Sequence, residues 1–379
     1  MSNKELIFVV NVDWFFLSHR LPIAIEAIKK GYNITLIAKN TGKRAEIETY
    51  GIKFIDLPFE RSNVNLINEF RIYRRLKKIY KTKKPDIVHH VTLKPIILGT
   101  LAARTFKFIS IVNAVSGLGI LFTKDGNRLK RVLTVNLLKF IFRVKTKLKV
   151  IFQNNDDKKI FIDNKIINEK DTVLIKGSGV DLKVFDYKEL PSNGSRKVLM
   201  AARMLYTKGF DDFSKAAKIV TEKDKYKDIE FLMAGSIDTL NPAAIKESVI
   251  KSWEKERNVK WLGHINDIKN KIEEAYLIVF PSFYGEGVPK FLIESCAIGR
   301  PIITTNHSGC RDCVDGNENG YLVEVNDFNE LANKIMFLFD NDSLSRKFSK
   351  NSRLKAEKEF SIEMVVKKTI DIYNMFLSC

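Results

Sequence analysis

The sequence predicts an α/β protein made of two doubly wound domains, each with a parallel sheet covered by helices on both faces. The chain has 379 residues, of which 45% are hydrophobic, and this length favours two cores over one. Short apolar runs typical of buried strands alternate with longer stretches typical of helices, which is the pattern of a parallel sheet. The alternation starts twice, near residue 6 and again near residue 198.

The first half is predicted to open with a strand that leads into a loop. The expected elements are a strand at 6–12 and then segments at 21–30, 33–38, 45–50, 54–57, 66–80, 87–90, 96–105 and 109–115. The loop after the first strand is where doubly wound folds place ligand-binding residues. This loop is therefore a candidate for substrate contacts.

The second half repeats this rhythm after a glycine-containing and polar linker. The expected strands lie at 198–202, 229–234, 259–262, 277–281, 302–305 and 321–323, and a final helix is expected at about 360–376. We therefore divide the chain into a first domain at 1–180, a linker at 181–196, a second domain at 197–358 and a terminal segment at 359–379.

Two carboxylates eight positions apart, Glu286 and Glu294, mark the most informative segment. A buried strand is predicted before them, Glu286 lies in the following loop, and Pro289 is placed in the first turn of a helix that carries Glu294. The backbone N–H groups of Gly287 and Val288 are expected to cradle a diphosphate, and a carboxylate can accept two hydrogen bonds from a vicinal diol. The segment is a candidate nucleotide-sugar site, with solvated helix-start acids as the alternative.

Two cations, Arg203 and Lys208, follow the first predicted strand of the second domain. Fixed cations beside a diphosphate can stabilise the charge that develops when a nucleotide leaves, a task that a metal ion would otherwise perform. Together with Glu286 and Glu294, this pattern resembles the family 4 retaining glycosyltransferases, which have a Glu-x7-Glu motif and an Arg and a Lys that clamp the donor diphosphate. The resemblance covers nearly the whole chain.

The resemblance implies a GT-B arrangement, in which two doubly wound domains face each other across a cleft and a terminal helix crosses back to the first domain. It implies that the first domain is on the acceptor side and that the second binds the nucleotide sugar. In this reading, Arg203 and Lys208 stabilise the leaving diphosphate. Glu286 orients the donor sugar, and Glu294 holds the ribose. The anomeric configuration is retained, and neither a metal nor another cofactor is required.

Several polar residues of the first domain are candidates for the acceptor site. The loop after the first strand has bulky and charged residues where many family members have glycines, and so resembles the subset that builds bacterial surface polysaccharides on a lipid carrier. The candidates are Asp13, His19, Arg20, His90, Lys94, Ser116 and Gly117. Many relatives place a histidine near Ser116, and His90 could substitute for it here. The alternatives are a helix cap for His19 and a structural role for His90.

The net charge of +19 lies entirely in the first half of the chain. Residues 1–180 contain 34 basic and 15 acidic residues, whereas residues 181–379 contain 30 of each. Two acid-free runs, 71–84 and 128–149, carry eight cations apiece. Basic helices with apolar residues can lie in an anionic membrane interface and gain about 1 kcal/mol per cation, the alternative being a solvated helix face. The predicted membrane patch consists of Arg71, Arg74, Arg75, Lys77, Lys78, Lys139, Arg143, Lys145 and Lys147.

The combined pattern predicts transfer of a hexose or N-acetylhexosamine from a nucleotide-diphosphate sugar to a polyprenyl-diphosphate-linked saccharide in O-antigen or capsule assembly. Uridine is preferred because lipid-linked assembly enzymes of this type commonly use it. With no signal peptide at the start and no apolar run of roughly 18 residues, the expected location is the cytoplasmic face of the plasma membrane. The alternatives are a nucleotide-sugar epimerase of the same fold and a non-enzymatic polyanion-binding protein.

Other functional classes receive little support from the sequence. No convincing G-x-G-x-x-G occurs, which disfavours a dinucleotide dehydrogenase. Asp340-Asn341-Asp342 is interpreted as a helix end and N-cap rather than as a metal motif. Cys310 and Cys313 form a C-x-x-C pair, but a zinc site would need two more ligands. No recognised nucleic-acid reader motif accompanies the positive charge, so no nucleic-acid partner is expected.

Overall fold

The computed structural model describes residues 4–59, 65–119, 128–192, 196–239 and 241–377. The chain divides into two compact units. The first comprises Met1–Ser178 together with Ile362–Cys379, and the second comprises Gly179–Ser361. Each unit is built around one parallel sheet, so the predicted class of two doubly wound α/β domains is confirmed.

The sheet of the first unit has the strand order β3-β2-β1-β4-β5-β6-β7. The strands are β1 (Lys4–Val12), β2 (Tyr32–Lys39), β3 (Lys53–Asp56), β4 (Ile87–Val91), β5 (Ser110–Val115), β6 (Leu148–Phe152) and β7 (Thr172–Leu174). The helices are α1 (Asp13–His19), α2 (Leu21–Lys29), α3 (Arg44–Glu48), α4 (Leu66–Lys83), α5 (Leu93–Ala103), α6 (Arg128–Phe142) and α7 (Asn155–Asp163). Residues 6–10 of β1 are fully buried, as expected for a parallel strand covered on both faces.

The sheet of the second unit has the order β10-β9-β8-β11-β12-β13. The strands are β8 (Lys197–Ala201), β9 (Glu230–Ala234), β10 (Val259–Trp261), β11 (Leu277–Phe280), β12 (Ile302–Thr305) and β13 (Gly320–Val323). The helices are α8 (Phe210–Thr221), α9 (Glu247–Glu256), α10 (Ile268–Glu274), α11 (Lys290–Ile298), α12 (Phe328–Asp340) and α13 (Asp342–Lys355).

The last helix, α14 (Ile362–Leu377), belongs to the first unit. It packs against α2, and its Tyr373 is fully buried in the core. The Tyr373 hydroxyl lies 2.6 Å from Nδ1 of His89 in β4. Helix α14 therefore contributes to the core of the first unit.

The described part of the predicted linker packs onto the second unit. Leu190 is buried in the core of that unit. The buried Arg300 guanidinium donates to the carbonyls of Lys188 and Glu189, each at 3.2 Å. These bonds fix residues 188–190 against the end of α11. Residues 193–195 of the linker lie outside the described residues.

The structure corrects the predicted loop after the first strand, which is the helix α1. Phe16 is fully buried, and its ring meets that of Phe8 edge to face at 5.5 Å. Asp13 stands in the first turn, where a negative charge complements the helix dipole. Helix α1 is therefore stabilised by the packing of Phe16 and by the charge of Asp13 in its first turn. The short segment of apolar and charged residues is not enough to predict this helix from the sequence.

Candidate active site

The strand order of the second unit places a candidate ligand-binding edge between β8 and β11. From these adjacent strands, the later strands follow outwards in opposite directions. Doubly wound folds bind ligands at the carboxyl ends of the strands at such a switch point. Arg203 and Lys208 follow β8, and Glu286 and Glu294 follow β11, so the fold brings the four predicted donor-site residues to one edge.

A tight turn after β8 carries Lys208 to the loop that follows β11. Gly209 has φ +87°, and a Cβ there would lie 2.1 Å from the carbonyl oxygen of Pro281, so this approach requires glycine. Lys208 is 9% exposed. Its ammonium group forms an ion pair with the Glu286 carboxylate. The predicted phosphate-binding and sugar-binding groups are therefore direct neighbours.

Arg203 is the more accessible of the two cations. Its side chain is 40% exposed, and its guanidinium donates to the Asp238 carboxylate at 2.8 Å. This bond uses one of the five N–H donors of a guanidinium, so the group can also meet an anion. Asp238 follows β9, the neighbour of β8. The sequence does not predict the contact between Asp238 and Arg203, because the two residues are 35 positions apart in the chain.

The loop after β11 is fixed by its contacts with two neighbouring segments. The Ser282 hydroxyl lies 3.3 Å from Oε1 of Glu286 and donates to the carbonyl of Thr207 at 3.3 Å. Gly309, which follows β12, has φ +77°, and a Cβ there would lie 1.5 Å from the carbonyl oxygen of Gly287. The loop is therefore held in place by backbone approach as well as by hydrogen bonds.

Glu294 is a buried carboxylate in α11 that is paired with Lys290 of the same helix. It is 7% exposed, and its Oε1 lies 3.5 Å from the Lys290 ammonium. Burial raises the pKa of Glu294, although Lys290 acts in the opposite direction. Burying a carboxylate is costly unless it is hydrogen-bonded. A ligand diol that donates two hydrogen bonds would therefore stabilise its charged form.

Helix α11 begins later in the structure than the sequence predicts. The helix begins at Lys290, and Pro289 is its N-cap with an extended ψ of 125°. Pro289 therefore precedes the first turn in which it was predicted to lie, and Gly287 and Val288 come immediately before it. The solvated helix-start alternative also fails for Glu294, because its side chain is buried.

In the first unit, Asp13 is a buried carboxylate that holds a neighbouring loop. It accepts hydrogen bonds from the backbone N–H groups of Trp14, Thr41 and Lys43 at 2.7, 2.6 and 3.1 Å. Burial alone would raise the pKa of Asp13, but these bonds and one from the Thr41 hydroxyl lower it. The carboxylate is therefore engaged in positioning residues 41–43.

Arg20 and Ser116 are brought together by the fold. Arg20 is 4% exposed, and its guanidinium donates to the His19 carbonyl at 2.9 Å and to the Ser116 hydroxyl at 3.3 Å. Its Nε has no partner. Burial lowers the pKa of Arg20 to about 10, so the group remains a cation at neutral pH. His19 stacks on Phe15 at 4.0 Å.

Two other candidates of the first unit, His90 and Lys94, have partners within that unit. His90 is fully buried, and its ring nitrogens lie 2.9 Å from the Tyr80 hydroxyl and 2.8 Å from Oδ1 of Asn113. Burial lowers the pKa of His90 to about 4, which favours the structural alternative for this residue. Lys94 forms a 2.7 Å ion pair with Glu69.

Two family models match the chain, one in each unit. The model described as glycosyl transferase 4-like matches residues 5–154. The model described as glycosyl transferases group 1 matches residues 184–355, which include the four donor-site residues. The chain belongs to the family 4 glycosyltransferases. The predicted family and enzyme class are confirmed.

Three relatives of similar length are named as bacterial glycosyltransferases. The glycosyltransferase is 29% identical to the UDP-Gal:alpha-D-GlcNAc-diphosphoundecaprenol alpha-1,3-galactosyltransferase of Escherichia coli, over 90% of this chain and 89% of the relative. It is 25% identical to the N,N'-diacetylbacillosaminyl-diphospho-undecaprenol alpha-1,3-N-acetylgalactosaminyltransferase of Campylobacter jejuni, over 95% and 97%. It is 26% identical to the capsular polysaccharide biosynthesis glycosyltransferase CapM of Staphylococcus aureus, over 100% and 98%.

Solved structures show the same fold over the full chain. A glycosyltransferase from Rickettsia africae matches with a TM-score of 0.75 and 21% identity, covering 100% of this chain and 99% of that one. HepE from Anabaena, solved in complex with UDP, matches with a TM-score of 0.77 and 16% identity, covering 98% and 100%. These likenesses support the GT-B fold class assigned to the glycosyltransferase.

The basic runs of the glycosyltransferase lie largely on α4 and α6. Exposed apolar side chains accompany the cations on both helices: Leu66, Ile67 and Phe70 on α4, and Leu129, Val132, Leu133, Leu137 and Phe140 on α6. Because α6 ends at Phe142, the patch residues Arg143, Lys145 and Lys147 lie beyond the helix. Among the described residues, no helix has the length and apolar character needed to cross a bilayer.

The cysteine pair gains no support as a metal site. Cys296, Cys310 and Cys313 are fully buried, and burial raises the pKa of Cys296 and Cys310 to about 12. In the described ranges, no group of three or more His, Cys, Asp or Glu side chains is placed to hold a metal ion. Cys379 lies outside those ranges. The segment from Asp340 to Asp342 joins α12 to α13, in agreement with its interpretation as a helix junction.

Proposed function

We propose that this glycosyltransferase transfers a hexose or an N-acetylhexosamine from a nucleotide-diphosphate sugar to a polyprenyl-diphosphate-linked saccharide, with retention of the anomeric configuration. The proposal rests on the joint placement of Arg203, Lys208, Glu286 and Glu294 at the switch point of the second sheet. The names of the E. coli and C. jejuni relatives specify acceptors linked to diphosphoundecaprenol, which supports the acceptor class.

The donor-site residues fit the charge changes of such a transfer. The bond between the anomeric carbon and the diphosphate oxygen breaks, and Arg203 and Lys208 stabilise the negative charge that develops on the leaving group. Glu286 orients the sugar beside Lys208, and Glu294 accepts hydrogen bonds from the ribose. The acceptor hydroxyl attacks on the face that the nucleotide leaves and gives its proton to the departing phosphate oxygen. No protein nucleophile and no metal are assigned to this reaction.

Uridine is the nucleotide that we favour. The E. coli relative is named for a UDP-galactose donor, and HepE was solved with UDP. The buried carboxylate of Glu294 can accept hydrogen bonds from the ribose diol of any nucleotide, so we assign the base from the relatives and the ribose from the site.

On the acceptor side, we assign the main contact to Arg20. Its guanidinium is buried and has no carboxylate partner among the described residues. A buried charge without an opposite charge is costly, and a phosphate of the acceptor would offset that cost. Ser116, 3.3 Å from this guanidinium, and the adjacent Gly117 complete the contact. Asp13 acts indirectly, by positioning residues 41–43.

We further propose that the enzyme works as a peripheral protein on the inner face of the plasma membrane. The exposed apolar side chains and the cations of α4 and α6 have the composition of an interfacial surface. Apolar insertion and attraction to anionic lipids contribute together at such surfaces. This placement brings the enzyme to a lipid-linked acceptor.

A donor panel assayed with short prenyl-diphosphate saccharides tests the proposed function. The expected result is a saccharide longer by one sugar, formed only with one class of nucleotide sugar. Turnover of the donor without an acceptor would instead favour the epimerase. Binding of polyanions without any turnover would favour the non-enzymatic alternative.

A further inference from the structure

A cavity of about 650 Å³ lies in the first unit, between the end of α6, the start of β6 and the segment after α7. The amino end of a parallel strand lies at the sheet edge opposite its carboxyl end. Arg20 and Ser116 belong to segments that follow the carboxyl ends of β1 and β5. The cavity is therefore separate from the candidate acceptor contacts.

Positive charge dominates the wall of this cavity. Its cations are Lys139, Arg143, Lys147 and Lys165. Lys147 donates to the carbonyl of Phe376 at 2.8 Å. The structure gives the side chains of Lys139, Arg143 and Lys165 no carboxylate partner within the described residues.

The two acidic residues of the wall already face other cations. Glu169 lies 3.1 Å from Lys158, and Asp171 lies 4.0 Å from Lys149. Neither Lys158 nor Lys149 lines the cavity. The wall therefore presents an excess of positive charge to any occupant.

An exposed apolar stripe on α6 leads to the cavity. Leu129, Leu133, Leu137 and Phe140 are 69%, 60%, 44% and 57% exposed, and their spacing places them along one face of the helix. Lys139 and Arg143, four positions apart, line the cavity at the end of this stripe. The carboxyl-terminal part of α6 therefore carries both the end of the apolar stripe, at Phe140, and part of the cavity wall, at Lys139.

We propose that this cavity binds the phosphate of an anionic phospholipid headgroup, with the acyl chains against the apolar stripe of α6. A guanidinium and two ammonium groups match phosphate oxygens through charge-assisted hydrogen bonds. A phospholipid combines the two chemistries that the surface offers, whereas a free phosphate ion uses only one. The site extends the membrane association proposed above and is independent of the donor and acceptor assignments.

Calorimetry with dihexanoylphosphatidylglycerol, below its micelle concentration, tests the site in the full-length protein. Saturable binding of one lipid is expected, and the double variant Arg143→Gln, Lys165→Gln should weaken it by about fivefold for each cation removed. Two matched variants should bind like the parent protein. Arg128→Gln removes a cation at the other end of α6, about 22 Å away along 15 residues, and Lys223→Gln removes an exposed cation of the second unit.

Three outcomes would overturn the proposal. Equal weakening by Arg128→Gln would mean that summed charge, and no specific cavity, attracts the lipid. Inorganic phosphate binding as tightly as the lipid would overturn the phospholipid as the occupant. Unchanged lipid binding in the double variant, with its thermal unfolding also unchanged, would remove the cavity as the site. UDP affinity, measured on the same samples, tests the donor site separately.

Discussion

We expect the Glu294 carboxylate to destabilise the ligand-free protein and to strengthen ligand binding. Its folded-state pKa is raised by burial, so the folded protein holds this proton more tightly than the unfolded chain. The associated stability is present at low pH and is lost as the pH rises through the raised pKa. Glu294→Gln should therefore raise the melting temperature of the ligand-free protein at neutral pH. It should also weaken UDP binding by about tenfold to a hundredfold, as for a lost hydrogen bond to a charged group.

The pH dependence of UDP binding gives a second readout of Glu294. Affinity should fall as the pH is lowered through the raised pKa, because protonation removes an acceptor for the ribose. Calorimetry should find this fall in the parent protein and in Glu222→Gln, which changes an exposed glutamate of the same unit. Glu294→Gln should abolish it. Unchanged affinity in Glu294→Gln would place the ribose elsewhere.

Arg203 and Lys208 should affect turnover more strongly than they affect the fold. Replacing both with Gln is expected to reduce turnover by about a hundredfold or more, since preorganised groups that stabilise developing charge have effects of this size. EDTA should leave the activity of the parent protein unchanged in a steady-state assay. Activity lost in EDTA and restored by magnesium would contradict the metal-free assignment.

The ion pair between Lys208 and Glu286 provides a stability control for the Arg203→Gln, Lys208→Gln variant. Removing Lys208 alone leaves the partly buried Glu286 without this partner, and breaking a buried ion pair costs about 3–5 kcal/mol. Lys208→Gln combined with Glu286→Gln keeps the site neutral. We expect the melting temperature of this double variant to be close to that of the parent protein. The single variant Lys208→Gln should melt at a lower temperature.

At the scale of elements, the contact between the loops after β11 and β12 positions the donor site. Gly309→Ala places a methyl group 1.5 Å from the Gly287 carbonyl oxygen in the present geometry, so the loop carrying Glu286 must move. UDP affinity and turnover should both decrease. Gly316→Ala is the matched control, since its added Cβ meets nothing within 4 Å. Equal kinetics for the two variants would show that the loop contact does not position the site.

The exposed stripe on α6 should supply the salt-resistant part of membrane binding. Salt screens exposed charges, so it should release only the fraction of protein held by cations. Leu133→Gln with Leu137→Gln should abolish the salt-resistant sedimentation with phosphatidylglycerol vesicles. Leu354→Gln changes a leucine of the second unit that is 60% exposed and should have no effect. Retained salt-resistant binding in the α6 variant would contradict insertion of this helix.

Elements differ in how clearly the sequence predicts them. The strand at Ile302–Thr305 was predictable to the residue because all four of its residues are β-branched, and such residues favour strands. Strand β6 was hidden, since it lies partly within a basic run and its signal is obscured by lysines. Helix α1 depends on packing of Phe16 against Phe8, which is a tertiary contact that local periodicity does not reveal.

At the scale of the whole molecule, the sequence predicted the two sheets and the donor-site cluster better than the individual contacts. The Glu-x7-Glu motif and the Arg–Lys pair lie at predicted strand ends, so topology alone brings them to one edge. The role of Asp238 required the structure, because it depends on a partner 35 positions away. The burial of His90 likewise follows from its neighbours in the sheet and not from its spacing.

We propose that this glycosyltransferase uses a nucleotide-diphosphate sugar as donor and a lipid-diphosphate saccharide as acceptor. The most direct test incubates the purified protein with a panel of UDP- and GDP-sugars and a short prenyl-diphosphate saccharide, followed by mass spectrometry and NMR of the product. We predict an acceptor extended by one hexose or N-acetylhexosamine in the same anomeric configuration as the donor, formed about a hundredfold or more slowly by the Arg203→Gln, Lys208→Gln variant. An inverted linkage, or no extension with any nucleotide sugar while UDP still binds, would contradict the account.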